Sequence, residues 1–149
     1  MSMINRETVV AAPLRLVYDA WVQFESYPQF LEGVEAVALV DANSLRWRES
    51  AERASDADEW DVEIVEQAPD SHIRWEASGG PVRVGAVLVD AVDEARTRVR
   101  MEMDVPRPED ETVIAMRAER DLAAFKGYME ARASQLSGWR TPPAPGGGA

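Results

Sequence analysis

The sequence predicts an α+β domain in which a curved antiparallel sheet of about seven strands wraps around one long C-terminal helix, with two short helices after strand one. Three observations carry this expectation. A β-rich start runs into a proline-punctuated, helically spaced stretch at positions 13–31. Alternating segments separated by turn signals at intervals of about 10 to 14 residues fill positions 34–105. A proline-free run from Asp110 to about Leu136 then carries an apolar stripe at near-helical spacing.

Pro13 suits the first turn of a helix, where its missing N–H would be unpaired in any case. Leu14, Val17, Tyr18, Trp21 and Phe24 follow as one stripe. Pro28 is expected to break this helix, Phe30 and Leu31 to sit on a second short turn, and Gly33 to release the chain into a strand beginning at Val34. Strand two is expected over Val34 to Val40, with D-A-N-S (41–44) as its turn, because Asp and Asn tolerate turn backbone angles. Strand three runs from about Leu45 to Arg53, and A-S-D-A-D (54–58) forms a hairpin loop to strand four, about Glu59 to Glu66.

A-P-D-S (68–71) turns into strand five, His72 to Ala77; Gly79-Gly80-Pro81 turns into strand six, ending about Ala91; D-E-A-R (93–96) leads into strand seven, Thr97 to Val105. P-R-P-E-D-E (106–111) ends the sheet and places acidic residues where a helix N-terminus favours them. The last helix then presents Ile114, Ala118, Leu122, Phe125, Met129 and Leu136 on one stripe. It reaches roughly 40 Å at 1.5 Å per residue, enough to cross the sheet. Gly138 is its expected stop. One domain is therefore expected over 1–138, followed by a disordered Pro/Gly-rich tail, 139–149, with little to bury.

The stretch V-V-A-A-P-L-R-L-V-Y-D-A-W-V-Q-F-E-S-Y-P-Q-F-L-E-G-V-E-A-V (9–37), with W-D-V-E-I-V-E-Q-A-P-D-S-H-I-R-W (60–75), T-R-V (97–99) and D-L-A-A-F-K-G-Y-M-E (121–130), resembles the START-like superfamily (SRPBCC). That superfamily contains polyketide cyclases/dehydrases, coenzyme Q-binding proteins and lipid-transfer domains. The resemblance implies the helix-grip fold, with a cavity where a curling sheet fails to close onto a straight helix. It says little about the reaction, because members bind or transform very different molecules.

Strand parity decides which residues face that cavity. Leu45, Trp47, Glu49 and Ala51 oppose Arg46 and Arg48; Trp60, Val62 and Ile64 oppose Asp61 and Glu63; Ile73, Trp75 and Ala77 oppose Arg74 and Glu76. Val99, Met101, Met103 and Val105 oppose Arg98, Arg100, Glu102 and Asp104. One face is aromatic and aliphatic, and the other carries opposite charges that can pair across strands. The strand-six run V-R-V-G-A-V-L-V is apolar at both phases and leaves its parity open. The candidate ligand pocket is Trp47, Trp60, Trp75, Met101 and Met103 from the sheet, with Leu122, Phe125 and Met129 from the helix. The ordinary alternative is that these side chains simply fill a core.

Glu49 is the candidate catalytic residue, since it shares the inward parity of Trp47. In an apolar cavity its carboxyl would have a raised pKa and could serve an aldol cyclisation or dehydration as general acid or base. Glu is rarely fully buried, so the favoured alternative has it reach solvent or pair with an Arg. Arg117 and Asp121, four apart on the last helix, form either a polar gate or, more ordinarily, a surface ion pair.

Composition narrows the field. The 149 residues suit one domain with a real core. The net charge of −11 argues against nucleic acid and anionic membranes as main partners. No apolar run approaches the roughly 18 to 20 residues of a membrane span, so no stable membrane insertion is expected. The absence of a signal pattern makes a cytoplasmic location the simplest reading. There is no cysteine, and the single His72 is expected to form no triad with Ser71 or Asp70, since adjacent strand residues point to opposite faces. No metal site is expected, and Gly79, Gly80 and Gly85 match no dinucleotide or phosphate loop, so no cofactor is implied. Two functions remain: binding a hydrophobic small molecule such as a polyketide, quinone or lipid, or, alternatively, cyclase/dehydrase action on a bound polyketide chain. A third option has the aromatic face or an edge strand meet a partner protein, and homodimerisation stays open.

Overall fold

The computed structural model describes residues 2–31, 34–49 and 58–140, with positions 2, 58 and 136–140 described through their backbone only. Strand β1 (Ser2–Val10) leads through Pro13 into helix α1 (Leu14–Val22), which is followed by a 3-10 helix (Phe24–Gln29). Strands β2 (Val34–Leu39), β3 (Ser44–Glu49), β4 (Asp58–Ala68), β5 (His72–Ala77), β6 (Val84–Asp93) and β7 (Arg96–Val105) come next. A 3-10 turn (Pro108–Asp110) then opens helix α2 (Glu111–Arg140). The strands form one antiparallel sheet in the order β1-β7-β6-β5-β4-β3-β2. Strands β2 to β7 are a meander, so β1 and β2 occupy opposite edges, and the α1 segment carries the chain from one edge to the other.

The first helical stretch differs from expectation. Helix α1 ends at Val22 and buries Val17, Tyr18, Ala20 and Trp21, while Phe24 opens the 3-10 helix and Pro28 lies inside it. The physical reason is a side-chain bond at the junction: the Tyr27 hydroxyl donates to the Trp21 carbonyl at 2.5 Å. That bond satisfies a carbonyl the ending helix leaves orphaned. At the other end, α2 runs through Gly138 to Arg140. A helical glycine costs about 1 kcal/mol relative to alanine, which is not enough by itself to stop a long helix. Gly33, positions 50–53 of the expected third strand, positions 54–57 of the hairpin loop and the tail 141–149 lie outside the described residues.

The register fixes the inner face. Trp47 pairs with Trp60, Leu45 with Val62, and Val62 with Ala77. In β6, Gly85 stands between Trp75 and Met103, Val87 between Ile73 and Met101, and Val89 opposite Val99, so Gly85, Val87 and Val89 point inward. On the outer face Arg46 meets Asp61 (2.7 Å), Arg48 meets Glu35 (2.8 Å) and Arg98 meets Asp90 (3.1 Å). Exposed pairs of this kind are screened by solvent, so they favour the register more than they stabilise the fold.

Helix α2 is fastened to β1. The Lys126 ammonium donates to the Val9 carbonyl (2.9 Å) and to Glu130 (2.5 Å), and Glu130 accepts from the Ala11 amide (2.8 Å). Fully buried Thr97 donates to the Ala12 carbonyl (2.8 Å) and ties the β1–α1 corner to β7. Beneath the helix, Trp21 packs on Phe125 with ring centroids 4.4 Å apart, and Phe30 meets both rings edge-on.

Candidate functional site

Where the sheet draws away from the first turns of α2, the two leave a cavity of about 80 Å³. The parity of the strands supplies one wall: Trp47 and Glu49 from β3, Trp60 and Val62 from β4, Trp75 and Ala77 from β5, Met101 and Met103 from β7. Helix α2 supplies Ile114, Arg117, Ala118 and Asp121, at the spacing of one helical face. Trp21, Tyr27 and Leu31 come from the helical segment that spans the sheet, and Val34, Pro81 and Val82 complete the lining.

Two glycines make room for two of the indoles. A Cβ on Gly80, whose φ is +81°, would fall 2.5 Å from the Trp60 ring, and one on Gly85 would fall 2.5 Å from the Trp75 ring. No side chain fits at either point while those rings stay where they are.

The charged side chains that line the cavity, Glu49, Arg117 and Asp121, form one cluster. Arg117 contacts the Glu49 carboxylate, whose Oε2 also accepts from the Trp47 indole N–H at 3.1 Å. Glu49 is 14% exposed and Arg117 28%. Burial opposes the charge on Arg117, but the hydrogen bond to Glu49 and the nearby carboxylates of Glu49 and Asp121 outweigh it and hold the guanidinium above its ordinary pKa. Glu49 therefore faces the cavity and pairs with an arginine. Arg117 and Asp121 line the cavity and are not an ordinary surface pair.

Three expected pocket residues are elsewhere. Leu122, Phe125 and Met129 are buried in the packed core and do not line the cavity. Leu122 follows the last lining residue of α2, Asp121, and Phe125, about one turn farther on, packs against the rings of Trp21 and Phe30. Trp21, on the first helical stripe, lines the cavity although the strand parities do not point to it. Its stripe marked it as buried, but nothing in sequence marks which part of a core stays hollow. Ser71 Oγ lies 2.9 Å from His72 Nδ1, and Glu66 lies 3.0 Å from Nε2. Ser71 reaches the ring because it belongs to the turn and escapes the strand alternation. None of these three residues lines the cavity.

The volume is far below the roughly 300 to 1,000 Å³ of usual small-molecule sites. Any ligand larger than a few water molecules requires the lining side chains to move. Trp47, Trp60 and Trp75 are only partly buried, which leaves them freer to do so than the core rings.

A seven-stranded antiparallel sheet gripping a long C-terminal helix around an aromatic hollow is the helix-grip architecture of START-like proteins. The chain belongs to the family of polyketide cyclases/dehydrases and lipid-transport proteins, which matches residues 10–125. An uncharacterised 17.2 kDa protein of Streptomyces lincolnensis is 32% identical over 148 residues, covering 94% of this chain and 97% of that protein. The Zhui aromatase/cyclase of a Streptomyces species superposes with a TM-score of 0.73 at 18% identity, over 88% of this chain and 94% of that one. A START superfamily protein from Mycobacterium smegmatis superposes with a TM-score of 0.67 at 17% identity, over 90% and 98% of the two chains. At these identities the structural likenesses establish the fold alone. Among the described residues, no helix is long and apolar enough to cross a membrane.

Proposed function

We propose that this protein binds a hydrophobic small molecule (a polyketide, quinone or lipid-like compound) in the cavity between the sheet and α2. The observation that carries this reading is the placement of four of the chain's five tryptophans, Trp21, Trp47, Trp60 and Trp75, around one hollow. Indoles offer large, rigid apolar faces, and Met101 and Met103 beside them adapt to irregular shapes. Family membership supports the same reading. Native mass spectrometry and thermal-shift screening with aromatic polyketides, quinones and fatty acids test it. At a hundred times its dissociation constant a ligand stabilises by about 2.7 kcal/mol, which raises the midpoint by very roughly 5 to 10 °C in a domain of this size. No adduct and no shift across the panel would overturn the reading.

A second reading, cyclase/dehydrase action on a bound polyketide, draws on the convergence of Glu49, Arg117 and Asp121 in the cavity. The Glu49 carboxylate lies in the cavity wall, placed to take a proton from an acidic carbon of a bound chain. Arg117 would then stabilise the enolate oxygen that forms. Incubation with a poly-β-ketone thioester, followed by product analysis, separates the readings: turnover abolished by Glu49→Gln supports the enzyme, and binding without turnover supports the carrier.

A further inference from the structure

The hollow is too small for anything beyond a few waters, so part of its wall must yield before a ligand enters. Two of its partly buried indoles have no room behind them. The Trp60 ring lies against Gly80 and the Trp75 ring against Gly85, each so close that a Cβ on the glycine would fall 2.5 Å from the ring. Neither ring can retreat in that direction.

Trp47 is held differently. Its indole N–H donates to Glu49 Oε2 at 3.1 Å, and the same carboxylate oxygen meets the Arg117 guanidinium. One oxygen atom thus connects a ring on β3 to helix α2 across the hollow. Glu49 is the last residue of β3, next to the β2 edge of the sheet, whereas Glu119, Lys126 and Glu130 tie α2 to the β1 side. The bridge also reaches water: the Glu49 side chain is 14% exposed and that of Arg117 28%, while Val62, Met101 and Met103 deeper in the lining are buried. A pair whose two ends reach water parts at lower cost than a fully buried one, because hydration replaces the lost contact.

We propose that the Glu49–Arg117 bridge is a latch on the cavity. Closed, it holds Trp47 over the hollow; parted, it frees the ring to swing aside and admits an uncharged aromatic molecule between β3 and the first turns of α2. This rests on the reading that the cavity binds a hydrophobic small molecule, and it adds where the ligand passes and which contact delays it. The bridge belongs to the closed state, so breaking it makes uptake both faster and tighter, by enlarging the fraction of molecules competent to bind. A Glu49 or Arg117 that merely touched the ligand would leave the opposite signature, because its loss would weaken binding.

The test uses N-phenyl-1-naphthylamine, an uncharged probe that brightens in apolar surroundings, mixed by stopped flow with the intact chain, with Glu49→Gln, with Arg117→Met and with the double variant. Each single variant is expected to raise the association rate and the affinity roughly two- to fivefold, the range set by a partly exposed ion pair, with the dissociation rate unchanged. The double variant should gain no more than either single one, since a latch broken from one side is already open. Added salt should speed association in the parent more than in the variants, because it screens the bridge and the probe carries no charge of its own. The chain contains no cysteine, so a Glu49→Cys/Arg117→Cys pair can be joined selectively by a reducible bis-methanethiosulfonate linker. The joined protein is expected to exclude the probe until the linker is reduced. Unchanged or weaker binding in the single variants, additive gains in the double variant, or unhindered uptake by the joined protein overturns the latch and leaves the ligand-binding reading standing. If neither parent nor variants take up the probe, the latch falls, and the ligand-binding reading falls with it only if the panel of polyketides, quinones and fatty acids is also silent.

Discussion

Gly85 stands directly across from Trp75 in the β5–β6 ladder, and the indole occupies the space that a side chain at Gly85 would fill. The aromatic wall thus depends on a residue that contributes no atoms to it. Gly85→Ala is expected to push the Trp75 ring into the cavity and to destabilise the fold by about 1–3 kcal/mol through overpacking. Urea denaturation measures the second effect, and a blue-shifted tryptophan emission with weakened ligand uptake reports the first. Unchanged stability and emission would show that the ring tolerates a methyl group there.

Core and cavity residues are expected to separate by experiment. Phe125→Ala removes a fully buried ring stacked on Trp21 and should cost about 3–5 kcal/mol. Trp47→Ala removes a partly exposed ring of the cavity wall and should cost less, while weakening ligand binding more. Paired chemical denaturation and ligand titration on the two variants check this. A reversed order would place the hollow farther along α2 than it lies.

Tyr27→Phe leaves the Trp21 carbonyl without its donor and should cost about 1–3 kcal/mol. Burial pushes the Tyr27 phenol far above its ordinary value. With its folded pKa raised, the neutral phenol contributes fully below the unfolded value of about 10, and that contribution is lost as pH climbs beyond it. Unfolding free energy measured between pH 9 and 11 (approximate bounds set by that unfolded value) should fall less steeply for Tyr27→Phe than for the parent. Equal slopes would mean the phenol ionises as readily in the fold as in the open chain.

Glu130 is held below the usual carboxylate range by its hydrogen bond to Lys126 and by the Ala11 amide. The sign is opposite to that of Tyr27: the contribution is present above the unfolded value of about 4.3 and disappears as pH drops through the lower folded value. The group is partly exposed, so Glu130→Gln should cost less than about 1 kcal/mol at neutral pH. Its stability should also decline less between pH 4.5 and 3 (about the unfolded value and below), read by thermal melts in that range. A parallel decline in parent and variant would argue that the tie to β1 contributes nothing.

How much of the inner face is legible in the sequence depends on whether a segment has one apolar phase or two. In β5 and β7 the charged residues occupy a single phase, and around Trp47 and Trp60 the large apolar residues of β3 and β4 do, so the inward placement of Trp47, Trp60, Trp75, Met101 and Met103 follows from alternation, and that of Glu49 from sharing the phase of Trp47. In β6 both phases are apolar, and only pairing decides: Gly85 must lie inside because it sits between Trp75 and Met103. The α2 stripe was equally clear, yet helical phase carries no information about height along the axis. Leu122, Phe125 and Met129 therefore share a face with Ala118, yet the hollow ends at the turn of Asp121 and does not reach them. Arg117 was legible as a polar residue near the stripe, whereas its contact with Glu49 joins residues 68 positions apart and needed the fold.

The pairing of the first strand with the last sets an order on biosynthesis. Ser2 lies against Val105 and Val10 against Thr97, so β1 is synthesised well before β7 and has no native strand to dock on until the meander has emerged. Until then β1 has no ladder partner, and α2 gains the surface to which Lys126 and Glu130 fasten it only once that strand has docked.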